Sequence, residues 1–161
     1  MEKGAGVMSS AVVEIDVKEV KKLTDLLNGK ALSSADRRNL LQSLGLEMVE
    51  QSRSRILKTQ KSPDGKPWAD FAESTLRYLE KQERAGSVSL LNREGYLHRS
   101  ITSEVKNDWA VLVGACMEYA AVHQFGYSEK NIPARPYLGV SSDDVADLTE
   151  LTEIWLEGHL Q

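Results

Sequence analysis

Pro133 and Pro136 stand three residues apart in Asn131-Ile132-Pro133-Ala134-Arg135-Pro136-Tyr137-Leu138-Gly139, and no other feature of the chain constrains its fold as strongly. Each proline fixes φ and has no amide proton to donate, so the segment can enter neither a regular helix nor a central strand. It must run extended. Beyond it, Ser141 or Ser142 can cap a last helix whose Asp143 and Asp144 favour the positive end of the helix dipole. Val145, Leu148, Trp155 and Leu156 fall on the buried stripe of that helix. Ile154 points about half a turn away and is a candidate contact with a neighbouring subunit.

Upstream of the prolines the pattern alternates between strand and helix. Ile101, Ser103 and Val105 alternate, Asn107-Asp108 make a turn and the following residues are β-rich, so residues 101–115 read as an antiparallel hairpin. Residues 116–124 return to helix and Gly126 stops it. Val13, Ile15 and Val17 suggest a short strand. Helical spacing follows through Val20, Leu23, Leu26 and Leu27, with Asp16 and Glu19 as a cap and Gly29 as a stop. Ser33 or Ser34 opens a longer helix to about Lys58, with Leu41, Leu44 and Met48 on one stripe. Gly45 and Ser52, beside that stripe, predict close approach of another backbone. A third helix is expected over residues 74–84, carrying Leu76 and Leu79 and broken by Gly86-Ser87. Trp68 and Trp109 are expected to be buried.

These elements predict an α+β fold in which helices, the long second one and the last one foremost, pack on a small antiparallel sheet with a central β-hairpin. Residues 1–10 read as a flexible N-terminal arm and residues 11–161 as a single domain, with the first helix and the arm as a peripheral extension. The chain of 161 residues is long enough to bury a core without disulfides or metals.

Charge and composition narrow the function. No apolar run is long enough to span a bilayer, and the N-terminus lacks the apolar core of a secretory signal, so no membrane association is expected. The net charge of −4 argues against broad nucleic-acid binding. Residues 137–161 contain no Lys or Arg and carry six carboxylates, which leaves +2 for the rest of the chain. Such asymmetry can steer head-to-tail self-association. The basic residues Arg37, Arg38, Arg53, Arg55, Lys58, Lys61 and Lys66 interleave with Asp36, Glu47, Glu50 and Asp64, the pattern of a solvated helix face.

No catalytic, cofactor or metal constellation is expected. His98, His123 and His159 are widely spaced, without HExxH or paired CxxC, and there is no Walker A or GxGxxG motif. Cys116, after Gly114 and Ala115, reads as a buried core thiol, and His123 as a packed histidine with one satisfied hydrogen bond. Arg135, held between prolines, is suited to pair with a carboxylate and to clamp the terminal helix.

Four segments occur in a telling order: Ser62-Pro63-Asp64-Gly65-Lys66-Pro67-Trp68, Leu91-Asn92-Arg93-Glu94-Gly95-Tyr96-Leu97-His98-Arg99-Ser100-Ile101, Tyr119-Ala120-Ala121-Val122-His123-Gln124-Phe125-Gly126, and Ile132-Pro133-Ala134-Arg135-Pro136-Tyr137-Leu138-Gly139. Together they resemble the phage virion morphogenesis, or tail-completion, family of Mu-like and related tailed phages, over about residues 40–159. Tyr137 stands where a Phe is common, and Asn92-Arg93-Glu94-Gly95 where the family often has Thr-Gly.

The resemblance implies a non-enzymatic protein acting in tail completion or head-tail joining, as a ring of identical subunits that contacts other phage head or tail proteins. Its place of work would be the bacterial host cytoplasm during assembly, with retention in the virion open. A capsid-assembly role at the head stage is the alternative within the family, and a small nucleic-acid-binding regulator the alternative outside it. The docking or structural positions carried by the motifs are Asp64, Gly65 and Trp68; Tyr96, Leu97 and Ser100; Tyr119, His123, Gln124 and Gly126; and Pro133, Arg135, Pro136 and Leu138.

Overall fold

A computed structural model describes residues 10–159. Strand β1 (Ala11–Asp16) leads through a 3-10 turn to α1 (Lys21–Leu27) and α2 (Ser34–Ser54), which continues as a π-helical turn over Arg55–Thr59. Helices α3 (Glu73–Lys81) and α4 (Tyr96–Arg99) precede the hairpin of β2 (Ile101–Asn107) and β3 (Ala110–Ala115). Helix α5 (Ala120–Phe125), a 3-10 turn and the proline segment lead to α6 (Ser142–His159). The fold is α+β, with one antiparallel sheet of order β1-β3-β2.

The strand registers explain the core. Ala11, Ala115 and Ile101 form one row across the inner face; Val13, Val113 and Ser103 the next; Ile15, Val111 and Val105 the third. Successive strand residues point to opposite faces, so this register puts the apolar set on one side, where α2 covers it. Contact is close because α2 carries Gly45 over the sheet: a Cβ there would meet Ser103 Oγ at 2.8 Å and Val111 Cγ1 at 3.0 Å. The small residue expected to admit another backbone admits β2 and β3.

Both long helices start from reciprocal caps. Ser33 Oγ accepts from Asp36 N at 3.1 Å, and the Asp36 carboxylate accepts from Ser33 N at 3.1 Å. At α6, Ser141 Oγ accepts from Asp144 N at 3.0 Å and Asp144 Oδ2 accepts from Ser141 N at 2.7 Å.

Several expectations need correction. The arm falls almost wholly on residues 1–9, which lie outside the described residues. The first helix is no peripheral extension: β1 pairs with the central strand, and Val17 and Leu23 are fully buried. Helix α6 leans chiefly on α2 and α1 rather than on the sheet. Trp109 is half-buried, because it sits in the turn between β2 and β3 rather than on a strand, with Lys18 and Arg37 approaching its ring at 5.0 Å and 4.4 Å from the centroid. Cys116 is exposed, since β3 ends at Ala115 and the chain turns out of the core there. In α3 only Leu79 is buried, while Leu76 faces solvent.

Candidate functional site

Extended backbone outside a sheet must satisfy its polar groups by other means. In residues 134–139 side chains do most of that work. Trp68 Nε1 donates to Pro136 O at 3.1 Å, and Gln124 Nε2 donates to Leu138 O at 3.2 Å. Arg55 donates to Tyr137 O and Gly139 O, both at 3.1 Å. On the donor side, Gln124 Oε1 accepts from Tyr137 N and Leu138 N, both at 3.0 Å, and Arg135 N reaches His123 O at 2.7 Å. The two prolines, having no N–H, leave nothing further to satisfy at their own positions. The segment is thus a strap laced to the loop after α2, to α5 and to α2 itself.

Arg55 takes the role the sequence suggests for Arg135. The Arg135 guanidinium donates to Ala69 O and Asp70 O, each at 2.9 Å, so it pins the loop after Trp68 and does not clamp the terminal helix. The clamp on α6 is Arg55, whose side chain is buried against the Asp144 carboxylate. Burial lowers the Arg55 pKa from its usual range. Arg55 is therefore no part of a solvated face; Arg38 is, in an ion pair with Asp108, while Arg53 pairs with Glu50 and also donates to His98 O at 3.0 Å and Ile101 O at 3.2 Å.

Tyr137 is fully buried, and its hydroxyl donates to Ala120 O at 2.9 Å. Burial raises its pKa. The tyrosine that replaces the common Phe thus adds a bond between strap and α5. Gly126, at φ +78°, packs so tightly that a Cβ would lie 2.8 Å from Ala134 N.

Lacing brings three of the four motif segments, and the loop after the first, to one open groove of about 880 Å³. Phe71, Leu91, Tyr96, Tyr119, Ile132 and Pro133 give it an apolar wall, and its charged lining is Arg93, Lys130 and Arg135 with the carboxylates of Asp70 and Glu94. Tyr96 is 58% exposed. The rings of Tyr119 and His123 meet edge to face, 5.7 Å apart. His123 Nδ1 is buried without a hydrogen-bond partner among the described residues, contrary to the satisfied bond expected of it. Burial, and then the nearby Arg135 charge, lower its pKa.

The other motif residues hold this surface from behind or lie off it. Trp68, Leu97, Gln124 and Leu138 are buried beneath it. Ser100 Oγ donates to Leu97 O at 2.8 Å and closes α4. Asp64 accepts from Lys66 N at 3.1 Å in its own turn and, with Gly65, borders a separate polar cleft of about 780 Å³ beside the start of α6. Ile154 is 62% exposed on α6 and lies outside the groove.

Sequence reasoning read Arg55 as part of a solvated face and Asp144 only as a dipole residue, and it did not single out Phe71, Leu91 or Ile132. For the first two a signal existed. Arg55 continues the spacing of Leu41, Leu44, Met48 and Ser52, and Asp144 precedes Leu148 and Thr152 at intervals of four, so each charge sits on a buried stripe.

Among the described residues no three His, Cys, Asp or Glu side chains gather to hold a metal, and no helix is long and apolar enough to cross a membrane.

Comparison with known proteins agrees with the motifs. The model of the phage virion morphogenesis family matches residues 16–157. The tail completion protein S of Escherichia phage P2 is 32% identical over 149 residues, which span 86% of this chain and 98% of that protein. Two Haemophilus influenzae proteins are also similar. Mu-like prophage FluMu G protein 2 is 30% identical over 86% of this chain and 92% of its own length, and G protein 1 is 27% identical over 68% and 77%. No solved structure matches.

Proposed function

This chain belongs to the phage virion morphogenesis family, and on that premise we propose that it completes tails or joins them to heads as a non-enzymatic building block, in a ring of identical subunits. The observation that carries this reading is the convergence of motif segments spread over about 70 residues on one surface, where their polar groups brace the backbone rather than face a substrate. A motif set used in this way supports a docking role. On this reading the partners are further copies of the chain and other phage head or tail proteins, met in the host cytoplasm during assembly. Ring closure needs two different patches on each subunit, and the acidic α6 and the more basic remainder supply opposite charges for them.

Particles made without the gene are the direct test. Intact tails that fail to finish or to join filled heads are expected on electron micrographs. Aberrant or empty heads would favour the head-stage role instead. The nucleic-acid reading loses ground because Arg38, Arg53 and Arg55 are held in ion pairs. Binding to DNA with a steep salt dependence would restore it.

A further inference from the structure

The geometry points to the groove as the acceptor for the outer face of α6 of the next copy, with Ile154 as the inserted side chain. This inference rests on the ring reading and names its two patches.

On α6, Asp147, Glu150, Ile154 and Glu157 follow at intervals of three, four and three, so they line up along one face. All four are exposed. Among the described residues none of these three carboxylates has an ion-pair partner within the subunit. The helix therefore offers an isolated apolar side chain flanked by uncompensated negative charge.

The groove offers an apolar wall with an excess of positive charge, since Arg93, Lys130 and Arg135 line it with Asp70 and Glu94, and Glu94 is already paired with Arg84 at 2.9 Å. Its wall is aromatic and aliphatic, and at its rim Arg93 and Lys130 approach the Tyr78 and Tyr127 rings, at 5.4 Å and 5.7 Å, without a carboxylate partner among the described residues. A volume of about 880 Å³ has room for a branched side chain and its neighbours on one helix face. An amphipathic helix laid in an apolar groove with opposite charge at the rim is a recurrent mode of recognition. The two patches belong to different parts of the subunit: α6 rests on α2 and α1, while the groove is built from α4, α5 and their loops. Two distinct patches on one subunit can be used reciprocally in a two-fold pair or in sequence around a ring, and the ring reading takes the second arrangement. A head-to-tail arrangement uses each once per subunit, and the outer carboxylates Asp147, Glu150 and Glu157 of α6, unlike Asp144, which pairs with Arg55, find their complement on the next copy. A second copy is thus favoured over an unrelated partner.

The test is the solution mass, by light scattering at several concentrations and two salt levels, of the full chain and of Ile154→Asp and Tyr96→Asp. Both positions are more than half exposed, so melting temperatures should stay close to that of the unchanged protein. The unchanged chain should form a discrete multimer that loosens with salt, and each variant should require at least tenfold higher protein concentration to assemble. An equimolar mixture of the two should stop at dimers, since one intact groove meets one intact helix and both remaining patches are spoiled. If Tyr96→Asp proves unstable, Lys130→Glu replaces it.

Variants that assemble like the unchanged chain would overturn this interface and leave the ring reading standing. A monomer at every concentration would overturn both. Tyr96→Asp that keeps full multimer mass but fails to restore particles would assign the groove to another virion protein and sink the proposal.

Discussion

Arg55 and Asp144, 89 residues apart in sequence, form a buried ion pair between the π-helical end of α2 and the first turn of α6. The π-turn places the guanidinium where it also reaches Tyr137 O and Gly139 O, so one side chain ties α2, the strap and α6. Asp144 in turn accepts from Ser141 N, which joins the ion pair to the α6 cap.

Removing one member strands the other charge. Arg55→Ala should destabilise the protein by about 3–5 kcal/mol, the usual cost of leaving a buried charge unpaired. The double change Arg55→Met with Asp144→Leu should recover part of that loss. Urea denaturation of the single and double variants measures both, and a single variant within about 0.5 kcal/mol of the unchanged protein would show the pair to be dispensable.

Gln124 closes the strap's account from the other side. Its amide accepts two backbone N–H bonds and donates one, while only 6% exposed. Gln124→Ala should therefore cost about 2–4 kcal/mol, since two buried donors lose their acceptor. Gln124→Glu keeps the acceptor but loses the donor and buries a charge, and its deficit should shrink as pH falls and the carboxyl protonates. Denaturation at two pH values separates these outcomes; equal loss for Glu at both would contradict the assignment.

The contrast between Arg135 and Arg55 shows what was legible in the sequence. The strap itself was legible, because proline restricts the backbone locally and leaves few choices. So was the hairpin, whose period of two survives in the buried inner rows. Which arginine holds α6 was not, because that depends on where the strap lies relative to the π-turn, a long-range relationship that neither arginine's neighbours encode. Cys116 illustrates the same limit: its small neighbours Gly114 and Ala115 predict a buried thiol, but β3 ends at Ala115 and the residue after it turns out to solvent. The groove was visible only as four motifs in order. Its wall residues Phe71, Leu91 and Ile132 come from loops, where no periodicity marks a side chain as facing a common space.

Gly126 tests how tightly α5 must meet the strap. At φ +78° and ψ 170° its backbone lies in a region that side chains with a Cβ avoid. Gly126→Ala should cost more than about 2 kcal/mol, because strain adds to a clash with Ala134 backbone that no rotamer change relieves. Loss of Trp68 shielding from iodide should accompany it, as the strap carries the Pro136 carbonyl to which Trp68 donates. A variant that melts with the unchanged protein would show that the strap can shift outward without penalty.

His123 makes stability depend on pH. Burial, and then Arg135, hold its pKa below the ordinary 6.5, so the folded protein keeps the ring neutral while the unfolded chain binds a proton more readily. Its contribution is therefore fully present above about pH 6.5 and is lost as pH falls toward the folded value. His98, lowered by burial and by Arg99 and Arg53, works in the same direction. The Asp36 carboxylate, lowered chiefly by its bond from the Ser33 side chain, acts only below the ordinary 3.8 and does not enter this window. His123→Asn should accordingly lose less stability than the unchanged protein between about pH 8 and about pH 5, with His98 accounting for what sensitivity remains. Denaturation midpoints across that range check the sign: a steeper acid loss in His123→Asn would mean that the ring is charged in the fold and held by a partner rather than kept neutral by burial.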